Sequence, residues 1–329
     1  MSSPPLKYRG RLKALAPEAR RRLLDRTGES DTRVAQRTAE LIARVRRDGD
    51  KALREMAREL DRVELQSLEV PRSVCEAALA SLEPKLKEAL SRAARNIAKA
   101  HAAQRPQATE VETEPGILVG RRPDPLGRVG VYAPGGRAVY PSSVLMGVVP
   151  AKVAGVGEVI VCSPPGLDGR PSAGVLADAV AAAVGQAAAS AKRQEIVTRA
   201  LSERGAVLSV DSLEEAWPFV ADFAPEHLLI ATMSPLEDLP KARNAGTVFV
   251  GQYASVAYGD YMTGANHVLP TAGLARAYSG LSVLDFYRWT TYQRVTRDAA
   301  ERLAEDVGLL ADSEGLFAHA DAARGWRKS

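Results

Sequence analysis

The feature that most constrains the fold is a strand–loop–helix–strand pattern. The run Arg128-Val-Gly-Val-Tyr132 precedes the loop Ala133-Pro-Gly-Gly136, a helix of small residues from about Ser142 to Ala154, and the run Val159-Ile-Val-Cys162. Two short β-branched runs separated by a helix are typical of parallel strands joined by a crossover. The pattern therefore predicts an α/β fold. The glycines would let backbone amides face a ligand at a helix N-terminus, and a tight turn is the alternative reading.

A second alternation of strands and helices follows later in the chain. Strands are predicted at Val207–Val210, Leu228–Ile230 and Thr247–Val250, with helices between them. The first hundred residues predict amphipathic helices, one of which Gly49 divides. An alanine-rich helix is predicted from about Ala173 toward Arg204, and the last fifty residues are predicted to be helical.

Composition narrows the class of protein. The chain has 329 residues, 46% of them hydrophobic and 26% charged, which is ordinary for a globular protein. No apolar run approaches the roughly 20 residues of a membrane helix, and the N-terminus shows no secretory pattern. Cys75 and Cys162 are expected to be reduced core residues, so we expect a cytoplasmic protein. The net charge of +4 lies on helices that also carry acids, and aromatics are only 5%, which argues against nucleic-acid binding.

The four histidines are the candidate chemical groups. His101 lies on a polar predicted helix and is expected at the surface. The other three lie near carboxylates: His227 follows Glu226, His267 follows Asp260, and His319 follows Glu314. Imidazole beside carboxylate suits proton transfer or zinc binding. The alternatives are a capping turn at Pro225-Glu226-His227 and a buried hydrogen-bonded pair at Asn266-His267.

Long motifs resemble the histidinol dehydrogenase family. They are Gly127-Arg-Val-Gly-Val-Tyr-Ala-Pro-Gly-Gly, Tyr140-Pro-Ser-Ser-Val-Leu-Met146, Val161-Cys-Ser-Pro-Pro165, Ala224-Pro-Glu-His-Leu228, Gly246-Thr-Val-Phe-Val-Gly251, Gly259-Asp-Tyr-Met-Thr-Gly-Ala-Asn-His-Val-Leu-Pro-Thr271 and Ser279-Gly-Leu-Ser-Val283. They cover nearly the whole chain, in family order. The resemblance implies oxidation of L-histidinol through the aldehyde to L-histidine, with zinc and NAD as cofactors.

The resemblance also implies a role for each candidate residue. His227 resembles the acid–base residue, and Glu226 resembles the carboxylate that activates water for the second oxidation. The residues that resemble substrate contacts are His227, Asp260, His267, Glu314 and His319. Asp260 and His319 resemble zinc ligands, and Tyr132 resembles an NAD contact. The family's site is shared across a homodimer, which would make His319 the second subunit's contribution.

The chain departs from the family near Gly174 to Val180. About a hundred residues present in family members are absent there, a domain's worth of chain. The resemblance implies that the absent part holds two zinc ligands, a substrate serine and much of the NAD platform. Two functions therefore remain open: a histidinol dehydrogenase, or a catalytically impaired or inactive remnant that acts as a binding or assembly protein.

The expected architecture follows from the resemblance and the alternation together. A larger, discontinuous Rossmann-like domain with N-terminal helices would comprise residues 1–128 and 178–277. A truncated second Rossmann-like domain would comprise residues 129–177. Residues 278–329 would form a helical tail used for dimerisation.

Overall fold

The computed structural model describes residues 7–25, 32–134, 140–165 and 206–326. Within these residues the strands are β1 (Tyr8–Arg11), β2 (Thr109–Glu114), β3 (Ile117–Pro125), β4 (Arg128–Tyr132), β5 (Glu158–Cys162), β6 (Ala206–Ser209), β7 (His227–Ile230), β8 (Thr247–Val250) and β9 (Tyr287–Val295). The helices are α1 (Pro17–Leu24), α2 (Thr32–Met56), α3 (Arg72–Ala80), α4 (Pro84–Ala103), α5 (Pro141–Ala154), α6 (Leu213–Phe223), α7 (Pro235–Asp238), α8 (Val256–Tyr261), α9 (Arg297–Ser313) and α10 (Phe317–Arg324). The predicted α/β class is confirmed.

The predicted crossover unit is present. β4 and β5 pair in parallel with Val129 opposite Val159 and Val131 opposite Val161. Helix α5 packs on the face that carries these valines, and Gly147 permits the close approach, because a Cβ there would lie 2.6 Å from Val131 Cγ1. Within the described residues this sheet has two strands.

The later strands also pair in parallel, in two further sheets. β7 pairs with β8, with His227 opposite Thr247, and β6 pairs with the N-terminal strand β1. Each of these sheets has two strands among the described residues.

The prediction of a wholly helical C-terminal region was wrong. Residues 287–295 form β9, which pairs antiparallel with β3 from Tyr287 opposite Pro125 to Val295 opposite Ile117. The segment Tyr-Arg-Trp-Thr-Thr-Tyr-Gln-Arg-Val is rich in aromatic and β-branched residues, which favour a strand. The guanidinium carbon of Arg121 on β3 lies 4.4 Å from the ring centroid of Trp289 on β9, which adds a cation–π contact across the pair.

The N-terminal helices match the sequence pattern closely. Gly49 has a φ of 57° inside α2, so it interrupts the helix as predicted. Pro84 occupies the first turn of α4, where its missing N–H costs nothing. The predicted alanine-rich helix lies outside the described residues.

His101 is not at the surface. It is 3% exposed on α4, and its Nδ1 accepts a hydrogen bond from the backbone N–H of Val283 at 3.2 Å. Burial lowers the pKa of His101, because a charged imidazolium is poorly solvated there. The prediction failed because Val283 lies 182 positions away in the sequence.

Only one of the two cysteines lies in the core. Cys75 is buried, whereas Cys162 is exposed at the end of β5, and both are free thiols. The exposure of Cys162 corrects the expectation that it packs inside, because its side chain points away from α5. Among the described helices, none is both long and apolar enough to cross a membrane.

Candidate active site

The candidate site lies where α6 ends and β7 begins. Ala224 adopts a left-handed conformation, with φ 49°, and ends α6. The carbonyls of Pro225 and Glu226 then accept hydrogen bonds from the N–H groups of Gly246 and Thr247, both at 2.9 Å. These bonds extend the β7–β8 ladder backward and hold Glu226 at the start of the strand.

Gly246 makes this approach possible. A Cβ at position 246 would lie 2.6 Å from the carbonyl oxygen of Glu226. Real Cβ atoms are almost never found so close to a backbone oxygen. The two chain segments can therefore lie side by side only because residue 246 has no side chain.

Helix α8 brings Asp260 to His227. The Asp260 Oδ1 atom lies 3.7 Å from His227 Nε2. Phe249 on β8 packs against the His227 ring with centroids 6.1 Å apart and an interplanar angle of 26°. Gly259 lets α8 reach this position, because a Cβ there would lie 2.6 Å from Phe249 Cε1.

The imidazole of His227 lies between two carboxylates. Glu226 Oε1 is 3.9 Å from its Nδ1, on the side opposite Asp260. All three side chains are about a third exposed, at 29% for His227, 35% for Glu226 and 29% for Asp260. An imidazole in this position can exchange a proton with a bound molecule, which is the chemistry of a general base.

The Nε2 atom of His227 is free to form a hydrogen bond with a further partner. The atom is buried and has no hydrogen-bond partner among the described residues, since Asp260 is beyond hydrogen-bond distance. Buried polar atoms are usually paired, so an unpaired one calls for an explanation. A ligand that donates a hydrogen bond would supply the missing partner.

His267 lies on a loop that Asn266 fixes. The Asn266 amide donates to the carbonyl of Met146 on α5 at 2.9 Å, and its oxygen accepts the N–H of Val268 at 2.9 Å. The side chain of Asn266 therefore bonds to Met146 and Val268, and the suggested hydrogen bond between Asn266 and His267 does not occur among the described contacts. The His267 Nε2 atom is also buried without a hydrogen-bond partner in the described part of the chain.

Among the described residues, the ion pairs at His227 involve only Glu226 and Asp260, and the remaining predicted residues are exposed. Tyr132 is 65% exposed at the end of β4, Glu314 is exposed where α9 ends, and His319 is exposed on α10. No carboxylate described here lies within 4.0 Å of His319. Whether a second copy would complete the site stays a prediction.

The donor set that one chain offers in its described residues does not fit a catalytic zinc ion. No group of three His, Cys, Asp or Glu side chains able to hold a metal occurs among residues 7–25, 32–134, 140–165 and 206–326. Catalytic zinc sites use three protein ligands and one open position. Asp260 is available, but His319 lies apart from it in the single chain.

Sequence reasoning missed the residues that position His227. Phe249, Gly246 and Gly259 carry no polar side chain that would single them out. The sequence contains two signals. Gly246 directly precedes a strand, and Gly259 directly precedes the candidate carboxylate Asp260. An isolated glycine in such a place often marks a close backbone approach.

Comparisons with known proteins identify the family that the chain resembles. The family model for histidinol dehydrogenase matches residues 24–179 and 172–326. Curated histidinol dehydrogenases from Methanosarcina barkeri and Methanosarcina mazei are both 35% identical, over 88% and 94% of this chain and 91% and 96% of the relatives. A crystal structure of histidinol dehydrogenase from Elizabethkingia anophelis matches with a TM-score of 0.86 at 22% identity, covering 99% of each chain.

The fold and the imidazole between two carboxylates define an α/β protein with a candidate proton-transfer site. The chain belongs to the histidinol dehydrogenase family, a family of oxidoreductases in histidine biosynthesis.

An internal segment of the family is absent. The alignment with the Methanosarcina barkeri protein spans 396 positions, more than the 329 residues of this chain. The relative therefore contains a segment with no counterpart here. The two stretches of the family match meet at residues 172–179, where the sequence predicts the deletion.

Proposed function

We propose that this protein acts on L-histidinol as a histidinol dehydrogenase whose own residues retain the proton-transfer half of the reaction. His227 is the acid–base residue that takes the proton from the alcohol. Glu226 activates water for the second oxidation, and Asp260 holds the substrate beside His227. His267, Glu314 and His319 complete the substrate contacts.

The observation that carries this proposal is the placement of His227. Its ring lies between Glu226 and Asp260, and its Nε2 is buried without a hydrogen-bond partner among the described residues. A general base must present a free acceptor to the proton it removes. The unpaired Nε2 atom of His227 meets that requirement.

We also propose that turnover by the isolated chain is far below ordinary enzyme rates. Oxidation of an alcohol needs a hydride acceptor. In the family this acceptor is NAD, and zinc is a second cofactor. The missing segment should contain much of the NAD contact surface and two zinc ligands. Proton transfer accelerates the reaction only when the alcohol is held beside the base and the acceptor together.

The proposed organisation retains the expected domains. Residues 1–128 with 178–277 form the larger domain, residues 129–177 the truncated one and residues 278–329 the dimerisation tail. In a homodimer, His319 of one copy would reach Asp260 of the other. Sedimentation showing only monomer would remove this shared site.

The second candidate function is a remnant that binds but does not catalyse. The absent segment favours it, since the chain alone does not present three metal ligands in its described residues. The two candidates differ in whether any histidinol-dependent NADH forms.

The test is NADH formation by the purified chain with histidinol, NAD and added zinc. We expect a rate well below the order of 1 per second that is common for enzymes, and its loss in His227→Ala. A signal that His227→Ala retains would show that His227 is not the base. An ordinary rate that the substitution abolishes would restore the full enzyme.

Measuring histidinol binding tests the second candidate function, in which the chain binds but does not catalyse. Calorimetry with histidinol should show weak binding by the wild-type chain and weaker binding by Asp260→Asn. Gln36→Ala, on the exposed surface of α2, serves as the control. Identical binding by all three proteins would contradict the proposed substrate contact.

A further inference from the structure

The β4–β5 sheet is covered on one side only. Side chains alternate along the strands, so Val129, Val131, Val159 and Val161 face α5. The opposite face, called here the bare face, consists of Arg128, Gly130, Tyr132, Glu158, Ile160 and Cys162. All six residues are exposed. Parallel sheets in α/β proteins are normally covered on both faces.

The bare face includes large apolar side chains of the kind that are usually covered in a folded protein. Ile160 is 40% exposed and Tyr132 is 65% exposed, while Cys162 lies opposite Tyr132 in the register. A Cβ at Gly130 would meet no atom within 4 Å, so the space above the middle of the sheet is open. The one charged pair, Arg128 with Glu158 at 2.8 Å, lies at the far end of the strands.

The edges of this sheet are open as well. β4 and β5 pair only with each other among the described residues. A two-stranded sheet has little stability alone, and its free edges can pair with a strand from another chain. Edge and face together offer a site for a polypeptide that adds both a strand and a covering helix.

The comparisons indicate what would fill this site. The segment that the Methanosarcina barkeri protein contains and this chain lacks joins at residues 172–179, shortly after β5 ends at Cys162. In sequence, the extra segment of the relatives therefore begins about ten residues after the strand that carries Ile160 and Cys162 of the bare face. We propose that the bare face and the edges of β4–β5 bind a separate polypeptide that carries this missing segment. The proposal rests on the family assignment and concerns assembly.

Cys162 provides a direct reporter of the complex. It is exposed on the bare face, whereas Cys75 is buried and serves as the internal control. The tagged full chain would be co-expressed with the missing segment of the Methanosarcina barkeri protein as a second polypeptide. We expect the two to co-purify, and thiol labelling of Cys162 to slow about tenfold relative to the chain alone, as burial blocks the thiolate.

Two substitutions on the bare face test the location. Ile160→Asp should weaken the complex by about a hundredfold, because a carboxylate would be buried without a partner. Gly130→Glu should act similarly and enters open space, so it should leave the fold intact. Leu310→Asp is the matched control, since Leu310 is 69% exposed on α9 and should not affect binding.

Each other outcome overturns the proposal. Failure to co-purify when both polypeptides are made would exclude the partner. Slow labelling of Cys162 in the chain alone would mean that its own remaining residues, or a second copy, cover the face. A complex unaffected by Ile160→Asp and Gly130→Glu would place binding elsewhere. These readouts do not depend on NADH formation, so assembly and catalysis fail separately.

Discussion

A carbon added at Gly259 would lie 2.6 Å from Cε1 of Phe249, the ring that packs against His227. Gly259→Ala should therefore push α8 away from β8 and move Asp260 from the imidazole. Overpacking of this kind costs about 1–3 kcal/mol. Urea unfolding should show the loss as a lower midpoint.

Gly127→Ala is the control for this substitution. A Cβ at position 127 meets no atom within 4 Å, so stability should change by no more than about 0.5 kcal/mol. Equal midpoints for the two variants would show that the Gly259–Phe249 contact is not tight.

His101 should make stability depend on pH. Burial lowers its pKa in the folded protein, while the unfolded chain keeps the ordinary value of about 6.5. Between these values the unfolded chain binds more protons. The stability contributed by the neutral ring is therefore full above about pH 6.5 and is lost progressively as the pH falls from there through the lowered pKa of the folded protein.

His101→Gln isolates this effect. A glutamine can still accept the Val283 N–H but cannot titrate. Urea midpoints measured at about pH 7.5 and 5.5 should fall less for this variant than for the wild type. The exposed His319→Gln should follow the wild type. Parallel behaviour of all three proteins would exclude His101 as the source.

Asn266 should contribute through its two hydrogen bonds. Asn266→Ala removes the donor to Met146 and the acceptor for Val268, which leaves the partly buried Met146 carbonyl without this partner and the exposed Val268 N–H to water. The expected loss is about 1–3 kcal/mol of unfolding free energy. Ser67→Ala, at an exposed hydroxyl, should change it by less than about 0.5 kcal/mol. A thermal melt in which both variants match the wild type would contradict the anchoring role.

Zinc should be held loosely. The described residues of one chain lack a three-ligand group, and a catalytic site needs three. Dialysis against a mild chelator should remove added zinc from the chain, and metal analysis should find well under one ion per chain. Asp260→Asn should reduce retention further. Stoichiometric zinc that survives dialysis in both proteins would require ligands elsewhere.

Local patterns predicted much of the fold and the core of the site. The strands at Val129 and Val159 and the interruption at Gly49 follow from short-range spacing. The candidate pair of Glu226 and His227 follows from their adjacency in the sequence. These features depend on neighbours in the sequence, which a pattern records directly.

What the sequence did not reveal depends on distant partners. His101 is buried because Val283 lies against it, and β9 is a strand because β3 pairs with it. The role of Phe249 likewise comes from its contact with His227. Such contacts form only when the chain folds, so periodicity alone cannot indicate them.

The β3–β9 pairing also bears on how the shortened chain folds. The two strands lie on opposite sides of the deletion point, so the loop they close is shorter here than in the relatives. Doubling a loop costs only about 0.6 kcal/mol of closure entropy. The deletion therefore leaves the free energy of this long-range closure nearly unchanged. The two halves of the chain can therefore meet without the segment, and β3 pairs with β9 along nine residues.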